Sequence, residues 1–268
     1  RGSNTDSVVT WKGSISQKLA PDVMVFASVA RGHEGFTYDI VTGFNPARID
    51  GALNGTAAGL SGTGPVRPEK STSYELGLKS RFFDNRVQLN LIGFYTNYNN
   101  FPAQSAVLVG GAPTFLLNNV GKLRTKGVEL ELQAKATDWL RLDAGATYAD
   151  AVMTSFPQAQ GYDGQPGTDP RCVRVFTSGA NTGLCQTHDR SGAAPPNAPK
   201  FKWNVGATAD FGLGGDATGI FILNYQHQSK VNFDLKGSPF LNQSGYGVMN
   251  ASLGAEIANF KITAFVNN

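Results

Sequence analysis

Few residues in this chain are of types and spacings that do chemistry. Cys172 and Cys185 are its only cysteines, with twelve residues between them. A metal site would need closer spacing and more ligands. His33, His188 and His227 are scattered and form no H-x-x-x-H or similar pattern, so no metal site is expected. Loop histidines of this kind are more often solvated than ligating. There is no G-x-S-x-G elbow, no H-E-x-x-H and no phosphate loop, so the chain is expected to be no enzyme and to carry no cofactor. What remains is oxyanion chemistry. The guanidinium of arginine offers a rigid fork of donors suited to carboxylate and catecholate oxygens. Arg31, Arg48, Arg67, Arg171, Arg174 and Arg190 all fall in or beside long polar segments. His33, Tyr38 and His188 lie in the same segments and join them as candidate ligand contacts, with Phe36 and Phe44 supplying aromatic surface.

The segments that must position these residues alternate with period two. In VGKLRTKGVELEL (120–132), Val128, Leu130 and Leu132 oppose Gly127, Glu129 and Glu131. The pattern recurs in TWKGSISQKL, TSYELGLKSRF, the run after Trp139, the run from Phe201 to Phe211 and the pair around Asn259, giving about ten strands. Connections around Pro21, Asp84, Asp138, Gly214 and Asn259 are short. Those at 32–70, 102–114, 152–199 and 231–245 are long and rich in Gly, Asn, Ser and Pro. Strict short–long alternation sends every long loop to one end of an up-and-down sheet, as in an outer-membrane barrel. Trp11, Tyr74, Phe82, Tyr95, Trp139, Tyr148, Trp203 and Phe211 sit near strand ends, where interfacial girdles form. The expected fold is all-β, a transmembrane antiparallel up-and-down β-barrel, with Glu129 and Glu131 toward a watery lumen and Val128, Leu130 and Leu132 toward lipid.

Composition agrees. The 268 residues are 41% hydrophobic and 16% charged, with mean hydropathy −0.20 and no apolar run near the length of a spanning helix. Alternation averages a barrel strand to this middling value. A net charge of +3, with scattered cations, argues against nucleic acid as a partner. The opening RGSNTDSVVTW contains no signal peptide. An outer-surface loop lies in an oxidising compartment, so Cys172 and Cys185 are expected to form a disulfide.

PEKSTSYELGLKSRFFDNRVQLNLIGFYTNYNNF (68–101), NVGKLRTKGVELEL (119–132), VMVFASVARG (23–32) and FKITAFVNN (260–268) resemble the barrel of TonB-dependent outer-membrane receptors. The phrases P-E-x-S-x-S-Y-E-x-G-x-K and G-x-x-R-T-x-G-V-E-x-E are specific to that family. The resemblance implies about ten strands of a 22-stranded barrel, with residues 1–268 part of one barrel domain and no separate second domain. It implies a plug domain not visible in this chain, a TonB complex acting through that plug, and import of a ferric siderophore or another scarce nutrient. It also implies that FKITAFVNN is the penultimate strand. Ferric siderophores are often anionic, which is what the loop arginines would serve; outer-membrane lipid and lipopolysaccharide are the other expected partners. A passive porin or a loop-displaying adhesin is the alternative.

Overall fold

The computed structural model describes residues 7–36, 66–109 and 112–268. Fifteen strands are found among them: β1 (Trp11–Ala20), β2 (Val23–Glu34), β3 (Glu69–Phe82), β4 (Val87–Val109), β5 (Ala112–Lys135), β6 (Leu140–Ser155), β7 (Ala159–Gln160), β8 (Cys172–Val175), β9 (Cys185–His188), β10 (Phe201–Gly214), β11 (Ala217–Gln228), β12 (Val231–Asn232), β13 (Asn242–Gln243), β14 (Tyr246–Ile257) and β15 (Phe260–Asn267). The ten long strands run β1-β2-β3-β4-β5-β6-β10-β11-β14-β15 across one sheet. Every pairing is antiparallel to the neighbour in sequence, the up-and-down order that alternation and loop spacing predict.

Register turns this order into two faces. Lys79↔Asn90, Asn90↔Glu131, Glu129↔Thr147, Thr147↔Lys202 and Lys202↔Gln228 run across the sheet as a polar row. One residue over, Leu78↔Leu91, Leu91↔Leu130, Leu130↔Ala146 and Val205↔Ala144 run across it as an apolar row. Because the side-chain period is two, a slip of one residue anywhere would exchange the faces. The apolar face has no protein against it: Ile15 is 73% exposed, Leu76 68% and Ile262 66%. The polar face borders a concavity of about 550 Å³ touched by β4, β5, β6, β10, β11 and β14, so the sheet curls around its charged side. Asn90 Nδ2 donates to Glu131 Oε2 at 2.9 Å on that concave wall. Glu129 and Glu131 thus lie on the concave, polar side of the sheet.

Aromatic side chains bound the apolar face at both ends. Tyr74 and Tyr95 lie with ring centroids 6.5 Å apart, and Trp203 and Tyr225 at 5.2 Å, all on the loop side. Phe82 and Phe211 lie toward the short turns. Tyr74 and Phe82, and likewise Trp203 and Phe211, are eight residues apart along their strands. At about 3.3 Å per residue and a tilt of about 40°, that separation spans roughly 20 Å, close to the height of a lipid-facing band.

The long connections differ from the expected structureless loops. Between 102 and 114 the chain pairs with itself: β4 and β5 continue from Pro102↔Asn119 to Val109↔Ala112 as a long hairpin beyond the wall. The segment 152–199 carries β7, β8 and β9, and 231–245 carries β12 and β13. The physical reason is backbone satisfaction, because a long connection that packs must bond its own amides. The chain's core sits in these connections. Phe156 and Met153 are each 2% exposed and pack with Ala103 and Ala159; Phe101, Leu123, Ala193 and Leu235 close around them.

Candidate functional site

The connections on the loop side form one interlocked cap. β9 is its centre, pairing with β8 on one edge and β7 on the other. β7 in turn pairs with β4 at Ser105↔Ala159, which ties the cap to the wall. Cys172 and Cys185 are joined by the expected disulfide, closing the hairpin that holds β8 and β9, with Cα atoms 5.7 Å apart. The 229–245 segment docks from the side. Leu235 enters the apolar core, Asn197 N–H donates to the Asn232 carbonyl at 3.0 Å, and Lys236 Nζ lies 3.7 Å from Asp163 Oδ1.

His188 sits inside the cap, 3% exposed, and so is not the solvated loop histidine its setting in sequence suggests. The reason is β9: this strand is paired on both edges, so its side chains are covered by the neighbouring segments. Gln165, 1% exposed, organises the ring's surroundings. Its Nε2 donates to Asp169 Oδ2 at 3.1 Å and lies 3.1 Å from His188 Nδ1, while its Oε1 accepts from Tyr162 N–H at 3.2 Å. Both amide protons and the carbonyl are thereby used. Tyr162 meets the imidazole edge-on, with centroids 6.5 Å apart. Burial pushes the His188 pKa below its ordinary value, and Arg190 and Arg171 push the same way against Asp169.

Arg190 is half-buried, with its guanidinium against Gly237, whose φ of 73° is what favours glycine where the two segments meet. Burial, then the neighbouring Arg171, hold the Arg190 pKa down, and Asp234 opposes them. Asp169 is held below the carboxylate range, chiefly by the Arg171 N–H that donates to its Oδ1 at 2.8 Å. Asp189 is lowered by bonds from Ser191, whose N–H donates at 2.7 Å. Arg171 and Arg174 remain exposed on the surface of the cap.

The other candidate residues are dispersed. Arg31 stands opposite Trp11 and Thr72, and His33 opposite Lys70, on the apolar side of the wall rather than over the mouth. Arg67 is exposed and held through its backbone. Tyr38, Phe44 and Arg48 lie outside the described residues. Arg171, His188 and Arg190 are the three the fold brings together. Sequence reasoning passed over Gln165, Asn100 and Asn119, whose roles depend on partners far along the chain. Asn119 Nδ2 donates to the carbonyls of Arg67 at 2.8 Å and Asn100 at 2.7 Å. Arg67 N–H donates back to Asn119 Oδ1 at 2.7 Å.

Known proteins match this architecture. The probable TonB-dependent siderophore receptor PiuA of Acinetobacter baumannii is 26% identical over 152 residues, 56% of this chain and 18% of that protein. Its crystal structure aligns with TM-score 0.65 and 19% identity, covering 96% of this chain and 31% of that one. The ferric yersiniabactin uptake receptor FyuA of Yersinia pestis aligns with TM-score 0.64 and 21% identity, over 96% of this chain and 31% of that one. This chain therefore spans about a third of the length of the solved receptors it resembles. The family model described as TonB dependent receptor-like, beta-barrel matches residues 1–268, and the chain belongs to that family of outer-membrane barrels.

Proposed function

We propose that this chain is barrel wall and outer cap of a receptor that binds a ferric siderophore and imports it across the outer membrane, energised through TonB. The relatives named as siderophore receptors support the cargo class. The carrying observation is the cap: a disulfide-closed, internally cored block fused to the wall, built to present a fixed surface. On that surface Arg171 and Arg174 are the proposed contacts for anionic oxygens, while His188 and Arg190 position them from beneath. The cargo is bound and passed on without covalent change.

The test is uptake of radiolabelled ferric siderophores by iron-starved cells carrying or lacking the full gene, with and without a protonophore. The proposal expects gene-dependent uptake that the protonophore abolishes. Uptake of small solutes that survives de-energisation would move the reading to a passive pore.

A further inference from the structure

The buried ring of His188 is linked in series to the backbone that carries Arg171. Gln165 Nε2 lies 3.1 Å from His188 Nδ1 and donates to Asp169 Oδ2 at 3.1 Å. Asp169 Oδ1 accepts from the Arg171 N–H at 2.8 Å, and the Asp169 carbonyl accepts from the Cys172 N–H at 2.8 Å. The Arg171 carbonyl accepts from the Asp189 N–H at 2.9 Å. The backbone from which the exposed Arg171 side chain leaves is thus held by Asp169 on one side and by the residue after β9 on the other.

Partners of a single kind fix the orientation of the Gln165 amide. The Tyr162 N–H can only donate, so Oε1 must face it, at 3.2 Å. Asp169, with its lowered pKa, is ionised and only accepts, so Nε2 must face it. The other Nε2 proton is left for His188 Nδ1, which accepts it only while that nitrogen carries no proton. A proton on Nδ1 sets donor against donor. Turning the amide over brings Nε2 to the Tyr162 N–H and Oε1 to Asp169, like against like on both sides. Gln165 is 1% exposed and His188 3%, so bulk water does not reach the conflict.

The charged groups around the imidazole divide in two. Asp169 and Asp189 favour a proton on it, whereas Arg190 and Arg171 oppose one. Tyr162 meets the ring edge-on. The 229–245 segment turns the Lys236 backbone toward the ring, while Lys236 Nζ lies 3.7 Å from Asp163 Oδ1. β7, on one edge of β9, brings no titratable side chain.

We propose that Gln165 is a positioning residue for Arg171, held in place by neutral His188, so that the cap loses its grip on anionic cargo when acid protonates that ring. An imidazole freed from this contact takes up a proton below about pH 6.5, so acid favours the disengaged arrangement. An anion seated over Arg171 would by itself favour a charged imidazole and bind tighter in acid; the relay demands the opposite sign. The link to capture rests on the reading of Arg171 as a cargo contact.

The test uses the full protein and follows protection of the Arg171 amide at about pH 7.5 and about pH 5.5, either side of the ordinary imidazole pKa. Its protection factor should fall about tenfold in acid, as when one hydrogen bond is lost. The Gly183 amide, bonded to the Phe176 carbonyl at 2.9 Å in the turn of the same hairpin, should stay protected. In His188→Asn a side-chain oxygen stands in for Nδ1 and accepts at any pH, so the Arg171 amide should stay protected throughout. Loss at both amides together, or an equal acid response in His188→Asn, overturns the relay. If protease already cuts the cap of that variant at about pH 7.5, the two wild-type amides decide alone. Binding of ferric citrate, ferric catecholate and ferric hydroxamate chelates to cells is measured at each pH as the ratio of wild-type to His188→Asn affinity, which cancels the chelate's own protonation. That ratio should fall about tenfold in acid. A ratio that holds or rises while the Arg171 amide responds overturns the link to capture. No gene-dependent binding of any chelate, with the Arg171 amide responding as described, defeats the cargo reading and leaves the relay standing.

Discussion

The side-chain amide of Asn119 forms a reciprocal pair of hydrogen bonds with the backbone of Arg67, accepting at 2.7 Å and donating at 2.8 Å. The residues are 52 positions apart, and this clasp joins the start of β3 to β5 at the mouth of the wall. Asn100, at φ 62°, completes it by accepting from Asn119 and donating to the Pro68 carbonyl at 3.2 Å. The stretch beginning at Pro68 and the stretch beginning at Asn119 are therefore linked at the mouth, through Asn100 and the backbone of Arg67.

Asn119→Ala removes one accepted and two donated hydrogen bonds together. The expected cost is about 1–3 kcal/mol, concentrated at the start of β3 because the wall pairing is untouched. Hydrogen exchange of the Arg67 amide should accelerate while the amides of Leu76 to Leu78 stay protected.

Cys172→Ser with Cys185→Ser opens the cap's hairpin. The expected loss of local stability is about 3 kcal/mol on the chain-entropy model. Limited proteolysis should then cut between residues 160 and 190, and heat-modifiability of the barrel should not change.

Acid should loosen the cap through His188. Its folded pKa lies below the unfolded value of about 6.5, so the unfolded cap takes up a proton that the folded cap refuses. The contribution is neutral above that pH, and stability falls as pH drops through it. Asp169 and Asp189, with lowered pKa values, weaken the cap only at still lower pH, below the ordinary carboxylate range. Protection factors of the β9 amides, which correct for the slower intrinsic exchange in acid, should fall as the pH drops below about 6.5. His188→Gln should flatten that dependence.

Gly127 on β5 leaves no room for a side chain beside β6. A Cβ there would overlap the Tyr148 carbonyl and press on Phe94. A backbone atom cannot yield as a side-chain tip can, so Gly127→Ala should lower the yield of assembled barrel. Gly212→Ala meets nothing within 4 Å and should assemble like wild type. The comparison is read from heat-modified and unmodified bands in outer-membrane extracts.

The wall was legible because each strand states its own two faces. Glu129, Glu131, Leu130 and Leu132 could be assigned from one window of sequence, since burial in a barrel follows strand parity. The cap was not legible in that way. His188 is buried because β7 and β8 close on β9, and no local window contains those pairings. Asn119 and Gln165 look like ordinary polar loop residues until their partners are known. The hairpin beyond Pro102 had a local signal, Gly110-Gly111 between two β-forming runs, which the flanking Pro102 and Pro113 obscured. The disulfide was legible from compartment alone. Arg31 lies beside a long loop in sequence, and strand parity points it outward, on the face of Trp11 and Val29.

The most direct test of the two-faced wall places a nitroxide at Leu130→Cys and, separately, at Glu131→Cys, in the full protein reconstituted in lipid. Cys172 and Cys185 are paired, so within this chain the new thiol is the labelling site. Collision with oxygen, which concentrates in lipid, and with a water-soluble nickel chelate is then compared at each position. The wall described here predicts oxygen-dominated relaxation at position 130 and nickel-dominated relaxation at position 131. Equal behaviour at the two positions, or the reverse order, would contradict it.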